Sequence, residues 1–301
     1  MNKITAIGEI LFDVYPDSEK LGGAPLNFLY HVHKFAGAGN IISRIGNDEP
    51  GKEILQFLEN CNISSNYIQI DQHHPTGTAT VKLNERNEPS FTIESNTAYD
   101  FIEANNDLHK LIEESTDCLY FGSLAQRNDV TRNTIHSLMG KNIKYFCDLN
   151  IRQNFFNKDI IVKSLSAADI LKVNIDELKL LNDLVIKENF DLEKTSFRLK
   201  DEFNIELLAI TGGAEGSILI REGDIDKFKV DPIKAIDTVG AGDAFASVLC
   251  LGYLNGWELP AVNKIANFFA SEICMIEGAL PADDKVYEKF KREFEQEKGQ
   301  E

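Results

Sequence analysis

The sequence predicts an α/β fold built on a mostly parallel sheet, and three features carry that prediction. Apolar runs suited to buried strands alternate with stretches of helical periodicity through the middle of the chain. Polar and glycine residues recur just after those runs. A 43% hydrophobic share of 301 residues supplies apolar side chains for a substantial core.

Taken in order, the N-terminal "MNKITAIGEILFDVYP" is strand-like. Glu9 and Asp13 interrupt its apolar run, so neither a signal peptide nor a membrane span is expected there. "GNDEPGKE" at 46–53 nearly has phosphate-loop spacing, but Glu53 replaces the hydroxyl that would hold magnesium and Asp48 and Glu49 would repel phosphates; a loop and helix start is expected. "TGTATVKLNERNEPSFTIE" at 76–94 reads as two alternating strands around a polar turn, a hairpin suited to a lid or an interface. The runs "CLYFGSL", "KYFCDL", "DILKVN" and "IELLAIT" are the expected parallel strands, separated by helices near 128–139, 158–168 and 175–203. Phe245, Val248, Leu249 and Tyr253 recur at helical spacing, which predicts a helix from about Ala241 to Leu254 with Gly256 ending it. The charged tail "KREFEQEKGQE" is expected to fray.

The 48 acidic against 31 basic residues, a formal net charge of -17, argue against nucleic acid or an anionic membrane as partner. Five scattered cysteines without a C-x-x-C pair suit reduced thiols in a cytoplasm and no structural zinc. The six histidines, among them His31 and His33 two apart on a helix, are expected on the surface rather than in a metal site.

The polar residues fall into place on this map. Asp148 and Asn150 follow one strand, Asn174 ends the next, and Thr211-Gly212-Gly213 follow the third. Open α/β sheets bind ligands beyond the carboxyl ends of their strands, so one rim gathers carboxylate, amide, hydroxyl and glycine. The stretch "DTVGAGDAF" adds a helix start of unusual make-up. Gly240 and Gly242 bare the first amides, which attract anions, yet Asp243 adds a carboxylate that repels them. Either Asp243 merely caps the helix, or it takes a proton from a hydroxyl attacking a phosphate. Read as a dinucleotide fingerprint, "GAGDAF" lacks the third glycine.

"DTVGAGDAF" resembles the C-terminal signature of the ribokinase-like (PfkB-type) sugar kinases, and "GGAPLNFLYHVHKFAGAGNIISRIGNDEPG" at 22–51 resembles their N-terminal one. "DLNIR", "KVNIDE", "TGGAEGS" and "NFFASEICMIEGALP" extend the likeness over essentially the whole chain, and "GEILFDVYP" with "GGAPLN" is most similar to the fructokinase branch. The resemblance implies a three-layer α/β/α core (1–12, 34–70 and 101–301), with 13–33 and 71–100 contributing a β lid over the sugar, through which two copies could pair. It implies an ATP-dependent kinase converting fructose to fructose 6-phosphate, or acting on ribose, a nucleoside or 2-keto-3-deoxygluconate, or else a silent sugar-binding regulator. Asp243 would be the base and Gly240, Ala241 and Gly242 the anion hole. Asp13, Gly22, Gly23, Asn27 and Arg152 would hold the sugar; Thr211, Gly213, Gly216 and Asn267 the nucleotide. Asn174 and Glu177 would place magnesium through water, and Asp237 and Val239 a monovalent cation such as potassium. Val239 stands where threonine is commoner, and Tyr99 in "NTAYDF" where fructokinases often carry other residues.

Overall fold

The computed structural model describes residues 2–83, 89–140 and 142–298. In chain order its elements are β1 (Ile4–Ile7), β2 (Leu11–Val14), β3 (Glu19–Gly22), α1 (Ala24–Ala36), β4 (Asn40–Gly46), α2 (Glu49–Asn60), β5 (Ile68–Asp71), β6 (Gly77–Leu83), β7 (Pro89–Ile93), α3 (Asn106–Ser115), β8 (Cys118–Phe121) and α4 (Asp129–Ser137). They continue with β9 (Lys144–Asp148), α5 (Lys158–Ala167), β10 (Ile170–Asn174), α6 (Ile175–Leu181), α7 (Leu192–Phe203), β11 (Leu207–Thr211), β12 (Ser217–Arg221), β13 (Asp224–Phe228), α8 (Ala241–Leu254), α9 (Leu259–Ile273) and α10 (Lys285–Lys298).

Nine strands form one sheet in the order β13-β12-β11-β10-β9-β8-β1-β4-β5, parallel except for β12 and β13 at one edge. Because successive strand residues point to opposite faces, strands buried on both sides are apolar throughout and sort their side chains into two cores. Cys118 and Tyr120 of β8 join one core with α1, α2, α8, α9 and α10, whereas Leu119 and Phe121 join the other with α3 to α7. That is the expected three-layer arrangement. The second sheet, β3-β2-β6-β7, pairs β2 with β6 in parallel and is otherwise antiparallel. The expected hairpin strands are there; its turn at 84–88 lies outside the described residues.

Several expectations need correcting. Residues 24–33 do not belong with the small sheet: Leu26, Phe28, Leu29 and Val32 are fully buried, and α1 packs in the main core. Asp71 likewise ends β5 of the large sheet. The pattern at 175–203 is two helices, because Asn182–Ile186 winds as a wider π turn, Lys187 (φ 61°) leaves it in the left-handed region and Asp191 caps a new start at Leu192 by accepting from the Lys194 amide. The tail through Lys298 is helical, since Phe290 and Phe294 are buried and Phe294 stacks on Phe35 at 4.3 Å, anchoring an otherwise charged helix. His31 is a core residue, its Nδ1 2.8 Å from the Tyr287 hydroxyl. The near-phosphate loop is a helix start as expected: the Asp48 carboxylate accepts from the Gly51 and Thr76 amides and the Thr76 hydroxyl, leaving nothing for a phosphate. No helix among the described residues is long and apolar enough to cross a membrane.

Candidate active site

The carboxyl ends of β9, β10 and β11 lie side by side, with Lys172 opposite Asp148 and Asn174 opposite Thr211 in register. The predicted rim therefore exists, and the start of α8 faces part of it. Gly240, at φ 79°, provides the left-handed turn into α8 and no side chain caps that end. Asp243 is not spent as a cap: its Oδ2 accepts from Asn27 Nδ2 at 2.8 Å. A helix start without a side-chain cap and an acid turned elsewhere favour the chemical reading of Asp243 over the capping one.

Asn27 brings the sugar-binding candidates with it. A Cβ on Gly22 would lie 3.3 Å from Asp13 Oδ2 and 3.9 Å from Asn27 Oδ1, so the glycine keeps open a cradle between two polar side chains. Asn27 Oδ1 is buried without a partner, as a group waiting for a hydroxyl would be. Gly23 (φ 110°) sits so close to the Glu9 carbonyl that a Cβ would come within 2.5 Å of it. Arg152 is exposed, and its charge is felt by Asp13 and Asp243 from a loop whose Asn150 and Gln153 both take positive φ.

Burial pushes the Asp243 carboxyl up to about 7, with Asp148 adding repulsion, while the Asn27 hydrogen bond, Lys172 and Arg152 pull it back. Asp13 rises to about 6, chiefly through burial. Glu9, buried with Oε2 unpartnered, rises to about 7, again by burial first. A base must be deprotonated to work, so kcat/KM for the acceptor should fall as pH drops through about 7, by up to about tenfold per pH unit. Glu9, raised chiefly by burial and further by the Asp243 charge, titrates in the same range. A rate flat between pH 5 and 8 would remove a titrating base from the mechanism.

The remaining candidates are placed differently. Asn174 and Glu177 form a reciprocal capping box at the start of α6, each side chain accepting from the other's amide at 2.8 Å. Glu177 is buried, not a surface residue, and also accepts from the Ile151 amide at 2.7 Å, so it braces the Arg152 loop. Asp237 accepts from the Val239 and Gly278 amides, with the Lys20 ammonium 3.6 Å away. A monovalent ion there would take this one carboxylate and otherwise backbone carbonyls. Gly213 (φ 58°) and Gly216 (φ 94°) bend the chain after Thr211, and a Cβ on Gly216 would fall within 1.9 Å of the Phe228 carbonyl. Asn267 is buried and its amide donates to Ser217 and Asn263, tying α9 to β12. The exposed group next to it is Phe268, packed edge-on against Phe228. No cluster of three or more metal-ligating side chains exists among the described residues.

Two residues of this site escaped the sequence reading. Glu9 was visible only as a break in an apolar run. Lys172 was visible as a lone lysine within "ILKVN", a strand otherwise suited to burial.

The α8 start thus lies beside the Asp13–Gly22–Asn27 cradle, at one end of a three-layer α/β/α fold. The family model described as pfkB family carbohydrate kinase matches residues 1–284, and the chain belongs to that family, phosphotransferases acting on a sugar hydroxyl. The chain is 27% identical to a fructokinase of Klebsiella pneumoniae over 266 residues, 83% of this chain and 84% of the relative. It superposes on the crystal structure of a sugar kinase from Pyrococcus horikoshii with a TM-score of 0.82 at 26% identity, covering 97% and 99% of the two chains. A Vibrio cholerae fructokinase solved with fructose, ADP and potassium shares the fold, with a TM-score of 0.80 at 22% identity over 96% and 98%.

Proposed function

We propose that the chain transfers the γ-phosphoryl group of ATP to a primary hydroxyl of a free sugar, with fructose the preferred acceptor and fructose 6-phosphate the product. The observation that carries this is Asp243, turned away from its own helix start and bonded to Asn27 at the edge of the Asp13–Gly22–Asn27 cradle. A sugar seated there hands its hydroxyl proton to Asp243, while the amides of 240–242 receive charge developing on the phosphoryl oxygens. Magnesium, when bound, would neutralise phosphate charge, and Asn174 and Glu177 are the residues that would hold it through water. The nucleotide would lie along Thr211, Gly213 and Gly216, its base beside Asn267 and the exposed Phe268. The small sheet covers the sugar, its edge strands offering a pairing surface for a second copy, and the protein works in the cytoplasm.

A second reading, an acceptor such as ribose, a nucleoside or 2-keto-3-deoxygluconate, draws on Tyr99. It is fully buried against β6 at Gly77, with the Arg127 guanidinium 5.0 Å over its ring. An ADP-release assay over a panel of sugars decides. Fructose should give the highest kcat/KM, and Asp13→Ala should lower it by roughly 10²-fold or more, because hydroxyl-binding groups discriminate strongly, while Asp17→Ala on the surface leaves it near wild type. A better rate with ribose or a nucleoside keeps the kinase and discards fructose. Sugar binding without ADP release leaves only the silent regulator.

A further inference from the structure

Lys172 is a charged residue in a place that packing alone would fill with an apolar one. It lies in β10 between Leu171 and Val173, both fully buried, and is itself only 7% exposed. Its ammonium donates to both carboxylate oxygens of Asp148, at 2.9 and 3.0 Å, and Asp148 also accepts from the Tyr120 hydroxyl. Buried ion pairs are expensive to desolvate, and well-packed apolar residues often replace them at no loss of stability. The pair therefore calls for a reason beyond holding the sheet together.

The position of the ammonium supplies one. A Cβ on Gly242 would lie 3.4 Å from Lys172 Nζ, so the charge is pressed against the first turn of α8, directly behind the bared amides. Three carboxylates surround it: Asp148, Glu177 of the capping box and Asp243. The lysine's charge is thus felt by both the proposed base and the side chain proposed to reach magnesium, from a place against the first turn of α8. We propose that Lys172 is a positioning residue for phosphoryl transfer, whose fixed charge behind Gly242 holds the helix start and Asp243 in place and favours the negative charge that develops on the transferred group. The inference rests on the kinase reading of the site. A preorganised charge of this kind acts on the transition state to the extent that negative charge grows on the transferred group.

Three variants test it, assayed with ATP and the best acceptor of the panel: Lys172→Met, Lys172→Arg, and the double variant Lys172→Met with Asp148→Asn. The first should lose roughly 10- to 100-fold in kcat, with both KM values within about threefold of wild type. Lys172→Arg, which keeps the charge, should recover part of the loss. Lys172→Met leaves Asp148 buried without its cation and is destabilised on that ground, so the double variant, from which both charges are gone, decides. A folded double variant that stays slow supports the positioning role. One that returns to within about twofold of wild-type kcat shows that Lys172 only neutralises Asp148 and overturns the proposal, as does a loss carried by KM. A wild-type protein that releases no ADP with any sugar fails the kinase reading instead.

Discussion

Asp243→Asn is expected to bind nucleotide and sugar nearly as well as the wild type, to turn over about 10²- to 10⁴-fold more slowly, and to unfold at a higher temperature above pH 7. The rate falls because the amide keeps the shape, and can still accept from Asn27, but cannot take the proton. The gain in stability has the opposite origin. The Asp243 carboxyl is pushed from 3.8 to about 7 in the folded protein, chiefly by burial and then by Asp148, so the folded state holds its proton more tightly than the unfolded chain. With the folded value above the unfolded one, the free protein pays nothing at low pH, loses stability as pH rises from about 4 to about 7, and carries the full penalty beyond. Allowing for the partial exposure of the group, removing the charge should return on the order of 1–3 kcal/mol at pH 8 and nothing at pH 3. Thermal unfolding of both proteins at the two pH values measures this. Near wild-type kcat would remove Asp243 as the base, and equal melting temperatures at pH 8 would mean that its charge is not strained.

Gly240→Ala should be nearly as damaging to turnover, by a different route. At φ 79° the residue lies where side chains are strained, and a Cβ would come within 2.3 Å of the Ala279 Cβ and 2.7 Å of its Cα. A backbone atom is in the way, so the chain at 240 must move, and the amides of 240–242 move with it. Removing one well-aimed donor from an anion hole typically costs about 10²–10³ in kcat, and the expected loss here is of that order. The body of α8 is held by Ala244, Val248 and Leu249, all fully buried, so the protein should still fold. Gly256→Ala serves as the control. It also has positive φ (69°) but open space around its Cβ, and lies beyond the far end of the same helix, so it should cost some stability and no turnover. Equal kcat for Gly240→Ala and wild type would show that the helix start is not the anion hole.

The sequence by itself determined the strands and helices around the rim, because burial on both faces leaves continuous apolar runs and the turns after them need polar or glycine residues. It also determined where α8 begins and ends, since Gly240 and Gly256 leave little else possible. What it could not decide was which of two local roles a polar residue takes. Asn174 and Glu177 cap a helix three residues apart in the chain, a contact legible from spacing, but the burial of Glu177 and its hold on Ile151 depend on a loop 26 residues away. The bond between Asn27 and Asp243 joins residues 216 apart, and only the packing of α1 against α8 turns the acid from a cap into a free carboxylate. The same holds for Lys172, whose meaning comes from the glycine it lies behind, and for α10, whose charged sequence looked unable to hold a shape until Phe35 and Trp257 supplied the surface for Phe294. Local pattern sets backbone conformation through steric and hydrophobic periodicity. Electrostatic environment and burial are sums over neighbours distant in the chain, and those neighbours are chosen only when the layers close.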